Sequence, residues 1–338
     1  MARVIRATTE VRQKLGEVIP LRAPFTAALN ITNVCNFRCV YCAHSNRPAG
    51  LKNEMMPWEI YQKSVDGLSA LPQKLKLLLL AGLGEPLAHP QIDKMVAYAK
   101  ERQTAETIRI ITNASLLTHE LSDRLIDAGL DHLKISIQGL DDAAYKKMCG
   151  TGIPLARIMD NIAYFYRHKK HTMVNVKIVA DAFEKPEDEQ RFYEMFDDIC
   201  DVMNIEHISP YQESVDYGKL TGDKFVLQSG NQAKLNKLCY TPFYLFSIYP
   251  DGTVIPCCYN SFESYKQLSM GNVMDMDLAA FWNSEEMNRF RLSLLRDERA
   301  KMPVCATCRF FQSAGNPEDN IDEYAETLIR KYQELLGD

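Results

Sequence analysis

The stretch Phe25-Thr-Ala-Ala-Leu-Asn-Ile-Thr-Asn-Val-Cys35-Asn-Phe-Arg-Cys39-Val-Tyr-Cys42 decides how this chain is read. Its first part, Phe25–Thr32, is an apolar run of strand length. The rest is a loop with the spacing C-x3-C-x2-C and an aromatic residue before the last cysteine. Three thiolates on one loop can hold three irons of a [4Fe–4S] cluster, which normally takes four cysteine ligands. The fourth iron is then open to a substrate or cofactor, and an open iron turns an electron carrier into a catalyst. The competing readings are a zinc site or a set of buried thiols. Structural zinc arrives as paired knuckles, and no second knuckle lies nearby. A disulfide framework does not suit a large chain without a secretory signal.

The 338 residues are 46% hydrophobic and 25% charged, with a net charge of -5, an ordinary globular composition with room for a full-sized domain plus a smaller one. The mild acidic excess gives no electrostatic reason to expect nucleic acid. Arg167-His-Lys-Lys-His171, the densest basic stretch, reads as a helix end. No apolar run is long enough to expect a membrane span. Ten cysteines suit a reducing cytoplasm where metal or redox chemistry uses them.

Outward from the cysteine loop, strand and helix signals alternate. Strands are expected at Phe25–Thr32, Leu75–Ala81, Thr107–Thr112, His132–Ile137, Val174–Ala180 and Ile205–Ser209. Helices are expected at Pro57–Leu71, Pro90–Arg102, Thr118–Ala128, Asp141–Met148, Leu155–Lys169 and Pro186–Cys200, with Thr118 as an N-cap. Six β/α units imply an α/β fold with a parallel sheet, and leave an open sheet and a barrel equally allowed. In either, ligands bind at the carboxyl ends of the strands, where the cysteine loop lies. The expected organisation is an N-terminal extension (1–23), too short for a peptide-recognition module and expected to form a helix, then the β/α region (24–212). A linker or flap (213–235), a cysteine-bearing region (236–315) and a terminal helix (316–338) follow.

The cysteine loop resembles the signature of the radical S-adenosylmethionine (radical SAM) superfamily. The resemblance implies a partial (β/α)6 TIM-like barrel in which Cys35, Cys39 and Cys42 hold a [4Fe–4S] cluster. S-adenosylmethionine (SAM) chelates the open iron, and one electron cleaves it to methionine and a 5′-deoxyadenosyl radical. That radical takes hydrogen from an unactivated carbon, and an electron donor such as flavodoxin or ferredoxin supplies the reducing equivalent. Gly82-Leu-Gly84-Glu85-Pro86 resembles the family's GGE motif, with Leu83 as a departure, and implies that Gly84 and Glu85 receive the methionine ammonium. Tyr41 takes the aromatic position beside the adenine. Thr112, Asn113, Ser136 and Gln138 take the polar positions at the ends of strands three and four. The strand around Ile178 offers an apolar edge and backbone groups to the base. Read alone, these strand-end residues are ordinary turn formers.

Cys239, Cys257, Cys305 and Cys308 form a second set. Asp251-Gly252 reads as a hairpin turn leading a short strand to Cys257. This set resembles the SPASM/twitch extension of radical SAM enzymes. With no cysteine after Cys308, it implies the shorter twitch version and a second [4Fe–4S] cluster. Four cysteines are equally competent for structural zinc. Cys258 is left over, as a spare thiol, an alternative ligand, or a hydrogen-atom donor.

The resemblance points to dehydrogenation or epimerisation at a hydroxyl-bearing carbon of a small polar substrate, a sugar or aminocyclitol. Lys177, Glu206 and His207, with Asp181 and Tyr211, are the strand-end candidates for binding hydroxyls or acting as base. His44 and Arg47 are expected to face the pocket. The alternatives are a peptide-modifying radical SAM enzyme and a non-catalytic iron–sulfur electron carrier, which has no use for Glu85 and the strand-end polar set.

Overall fold

The computed structural model describes residues 2–4, 13–208, 215–221, 236–259, 261–313 and 316–338. The strands are β1 (Arg3–Val4), β2 (Thr26–Leu29), β3 (Leu75–Leu80), β4 (Ala105–Thr112), β5 (His132–Ile137), β6 (Met173–Val179), β7 (Val202–Glu206), β8 (Leu245–Ile248) and β9 (Val254–Ile255). They form one sheet in the order β1-β7-β6-β5-β4-β3-β2-β8-β9. Every pairing is parallel except β8 with β9. The sheet does not close among the described residues, so it is a partial barrel.

Helices α1 (Trp58–Ser69), α2 (Ile92–Glu101), α3 (His119–Asp127), α4 (Asp142–Cys149), α5 (Leu155–His168) and α6 (Asp188–Phe196) make the crossovers. The Thr118 hydroxyl accepts from the Leu121 amide, so this residue caps α3 as its sequence predicts. Asp141 caps α4 in the same way, and Gly150, at φ +63°, ends it. Further on, α7 (Glu285–Leu295) packs against α8 (Ala325–Leu336).

Strand periodicity separates the two faces of the sheet. On β5, Leu133, Ile135 and Ile137 are buried and join a core cluster with Ile158, Ile162 and Phe165 of α5. The alternate residues His132, Lys134 and Ser136 are only half-buried and lie on the opposite, concave face.

Three features depart from expectation. The expected strand Ile205–Ser209 begins earlier, at Val202, and Tyr211 and most of 213–235 lie outside the described residues. The N-terminal stretch contains the short strand β1 on the sheet edge and a single helical turn, Leu15–Val18. The cysteine-bearing second region does not stand apart: β8 pairs in parallel with β2 from Thr26↔Leu245 to Leu29↔Ile248, extending the barrel sheet.

Candidate active site

The cysteine loop is held by backbone contacts on both sides. The Gly84 amide donates to the Thr32 carbonyl at 2.9 Å, and the Glu85 amide donates to that of Val34 at 2.8 Å. On the other side, the Arg38 and Val40 amides donate to Cys149 and Met148 at the end of α4, both at 2.9 Å. The Cys149 thiol lies hydrogen-bonded beside Cys39, a contact with no local sequence signal. The glycines of the GLGE turn serve this packing. A Cβ at Gly84 would fall 2.5 Å from the Thr32 carbonyl oxygen, and Gly82 has φ +139°.

Glu85 is 3% exposed and sits beneath the loop. Its Oε1 accepts from the Thr112 hydroxyl at 2.5 Å and the Leu87 amide at 3.0 Å, and its Oε2 accepts from the Asn113 amide at 2.8 Å. Burial pushes its carboxyl up, opposed by these three hydrogen bonds. Its side chain therefore fixes the ends of β3 and β4 against each other. Asn113 in turn donates to Asn36 at 3.0 Å and accepts from Ser115. Asn36 and Ser115 complete a network the sequence pattern did not flag. Tyr41 donates to Gln138 at 2.5 Å, so the aromatic and polar positions meet across the mouth of the sheet. The Ile178 side chain lies in the core, leaving its backbone as the part that borders the site.

The concave face beneath this mouth is charged. Glu206, 7% exposed, pairs with Lys134 at 2.6 Å and Lys177 at 2.5 Å. Burial opposes ionisation of Glu206, but the two ammonium groups outweigh it and hold its carboxyl well below the usual carboxylate range. A carboxylate so acidic is a poor proton acceptor and a good fixed charge. Arg109 donates from Nε to His132 Nδ1 at 3.0 Å, which places the hydrogen of the neutral ring on Nε2. Burial, then Arg109 and Lys134, push His132 down to about 3, so the ring is neutral. His207 follows β7 half-buried, and Asp181 is exposed.

His44 and Arg47 pack toward the second region rather than onto the concave face. The His44 ring meets Phe262 edge-on at 5.1 Å, and the Arg47 guanidinium lies 5.1 Å over the same ring. Arg47 also donates to the Asn33 carbonyl at 2.7 Å. Burial, then Arg38 and Arg47, push His44 down to about 4.

In the second region, Cys239, Cys257, Cys305 and Cys308 line one cavity with Pro242, Leu268, Val304, Phe311 and Arg299 among its walls. Arg299 donates to the Cys305 carbonyl at 3.2 Å and stacks 3.9 Å over Phe311. The Cys258 thiol lies by Cys239, Cys308 and Thr241, so it borders the same site. Burial pushes the Cys35 and Cys239 thiols up to about 12 and Cys305 up to about 11. Metal binding must therefore displace protons at both sites. Soft thiol donors with no carboxylate in the cavity wall fit iron–sulfur ligation.

Comparison with known proteins agrees with this chemistry. Residues 29–196 match the family described as the radical SAM superfamily, and residues 239–309 match SPASM, an iron–sulfur cluster-binding domain. A relative is the tungsten-containing aldehyde ferredoxin oxidoreductase cofactor-modifying protein of Pyrococcus furiosus, 26% identical over 316 residues, covering 83% of this chain and 86% of that one. The fold is similar to that of BtrN solved with AdoMet and 2-DOIA (TM-score 0.53, 19% identity, 84% and 92% coverage). It also resembles Streptococcus suis SuiB bound to its precursor peptide SuiA (TM-score 0.62, 14% identity, 90% and 78% coverage). Among the described residues no helix is long and apolar enough to cross a membrane. With a cysteine loop clamped at the mouth of a partial barrel and a second cysteine cavity joined to its sheet, this chain belongs to the radical SAM superfamily as an enzyme using SAM and iron–sulfur clusters, with a C-terminal SPASM domain.

Proposed function

We propose that this enzyme dehydrogenates or epimerises a hydroxyl-bearing carbon of a small polar substrate of the sugar or aminocyclitol class. The observation that carries this reading is the concave face beside the Tyr41–Gln138 contact. There His132, Lys134, Ser136, Lys177, Asn204 and Glu206 offer hydrogen-bonding groups at successive levels. A hydrophobic substrate would set an apolar surface against these charged groups, whereas hydroxyls can hydrogen-bond to them.

Cys35, Cys39 and Cys42 would hold the active cluster, and Cys239, Cys257, Cys305 and Cys308 the auxiliary one. Tyr41, Gly84, Thr112, Asn113, Ser136, Gln138 and the backbone of Ile178 would border SAM, with Glu85 holding the turn that faces it. When bound, the reduced cluster and SAM supply a 5′-deoxyadenosyl radical that removes a carbon-bound hydrogen atom. The chain's own tasks are then positional. The charged face orients the substrate, and the loops above it exclude water. Dehydrogenation further requires a proton acceptor for the hydroxyl and an acceptor for the remaining electron. The first is a role for His207, which among the described residues has none of the ion pairing that weakens Glu206 as a base. The second is a role for the auxiliary cluster that Cys239, Cys257, Cys305 and Cys308 would hold. Epimerisation instead requires a hydrogen-atom donor, a role for Cys258, whose resulting thiyl radical would regain an electron from the external electron donor and a proton from solvent.

Turnover in heavy water separates the two outcomes. Epimerisation places solvent deuterium on the product carbon, and Cys258→Ala abolishes that label. Dehydrogenation gives a carbonyl product and no such label. Absence of both products, with SAM cleaved and candidate sugars and aminocyclitols present, overturns the proposal. The SuiB likeness keeps a peptide substrate as the second reading, and modification of a peptide under the same conditions would favour it.

A further inference from the structure

Among the described residues, the concave face holds more positive charge than it neutralises. Lys134 on β5 and Lys177 on β6 converge on the single carboxylate of Glu206 on β7. Two ammonium groups against one carboxylate leave a surplus of one positive charge in a largely buried place: the side chains are 22%, 19% and 9% exposed. Neither lysine has a further acidic partner among the described residues. A desolvated charge without a counter-charge is costly, and an ion pair alone would need only one lysine.

A further polar group in these levels lacks a partner among the described residues. His132 Nε2 carries the ring hydrogen, because Nδ1 accepts from Arg109, yet it donates to no described group. The atom is shielded from water. Buried polar groups are nearly always paired, so an orphan donor beside a surplus positive charge marks a place that an acceptor ligand completes. Ammonium groups with a neutral N–H donor are the chemistry of anion recognition.

The level of the cluster connects it to the reaction. Lys177 sits in register with Ser136, and Val179 with Glu206. Ser136 is two residues before Gln138, the partner of Tyr41, and a two-residue step along a strand is about 6.6 Å. Lys177 thus lies within the length of a small metabolite from the mouth, with Lys134 and His132 about 6.6 Å and about 13 Å deeper along β5 than Ser136.

We infer that Lys134, Lys177 and His132 form an anion subsite, and that the substrate of the proposed reaction carries a phosphate or carboxylate group seated there while its reacting carbon lies at the mouth. The inference rests on the small-substrate reading and narrows it from neutral sugars or aminocyclitols to their phosphorylated or carboxylated forms. Glu206 holds the two lysines side by side and sets the net charge of the subsite.

The test uses the anaerobically reconstituted holoenzyme without reductant, so it is independent of whether SAM is cleaved or which product forms. Phosphate, pyrophosphate and malonate are titrated by calorimetry. Saturable binding of at least one is expected: phosphate or pyrophosphate without malonate indicates a phosphorylated substrate, and malonate alone a carboxylated one. Lys134→Met and Lys177→Met each leave a neutral lysine–glutamate pair, so they should fold, and each should weaken binding tenfold or more. Glu206→Gln raises the surplus charge and should tighten binding if the variant folds. If no anion binds saturably, or if binding is unchanged in both lysine variants, the subsite does not exist. The radical reading would then still stand on its own tests.

Discussion

Gly84→Ala tests how the cysteine loop is positioned. The added methyl carbon would lie 2.5 Å from the Thr32 carbonyl oxygen and 2.6 Å from that of Val34. Both are backbone atoms, so no side-chain rotation relieves the contact. The GLGE turn must withdraw from the cysteine loop, breaking the Gly84–Thr32 and Glu85–Val34 hydrogen bonds of 2.9 and 2.8 Å. Each such bond contributes about 1 kcal/mol net, and overpacking at a rigid contact costs about 1–3 kcal/mol, for a total of about 3–5 kcal/mol. Gly152→Ala is the control, because a Cβ there meets nothing within 4 Å. Urea unfolding of the anaerobic metal-free protein should show the loss for Gly84→Ala, with Gly152→Ala within about 0.5 kcal/mol of the parent. Iron retained by Gly84→Ala after reconstitution should also fall. Equal stability of both variants, with full iron loading, would refute the claim that this glycine exists to bring the two loops together.

Three further outcomes follow from the same geometry. Glu85→Gln sets an amide NH2 against a donor, either the Asn113 amide or the pair formed by Thr112 and Leu87, and should cost about 2–3 kcal/mol in urea unfolding; an unchanged midpoint would show that these bonds do not hold the strand ends. His44 and His132 are held at about 4 and about 3 in the folded chain, below the ordinary value near 6.5, so the unfolded chain binds more protons between those values. Their contribution is complete above pH 6.5 and is lost on acidification, giving a fall of about 1–3 kcal/mol between pH 6 and 5 that His132→Gln should reduce; a flat stability profile over that interval would contradict their burial as neutral rings. Two clusters require about eight irons per reconstituted chain. Cys257→Ala should lower this to about four and Cys258→Ala should leave it unchanged, whereas the reverse pattern would make Cys258 the ligand.

Much of the architecture is written in local signals. The strand Leu75–Leu80, the Thr118 cap and the Asp251-Gly252 turn each stand out because one short segment carries its own period or turn chemistry. The start of β7 did not, since Asn204 and Glu206 put polar side chains on the concave face and interrupt the apolar run by which strands are found. The pairing of β8 with β2 joins residues more than two hundred positions apart, and parallel register over such a distance leaves no trace in either segment. At the site, the cysteines were legible from spacing alone. Asn36, Ser115 and Cys149 were not, because each acts through a partner brought close only by the fold. Lys134 escaped notice for a related reason: a lysine inside a strand reads as solvent-facing until the sheet curves around it.

Cleavage of SAM is the most direct measure of the account. Anaerobically reconstituted protein, reduced and supplied with SAM, should release 5′-deoxyadenosine and methionine, and Cys42→Ala should release neither. An intact, reduced cluster that leaves SAM uncleaved would contradict the assignment of Cys35, Cys39 and Cys42 as its catalytic ligands.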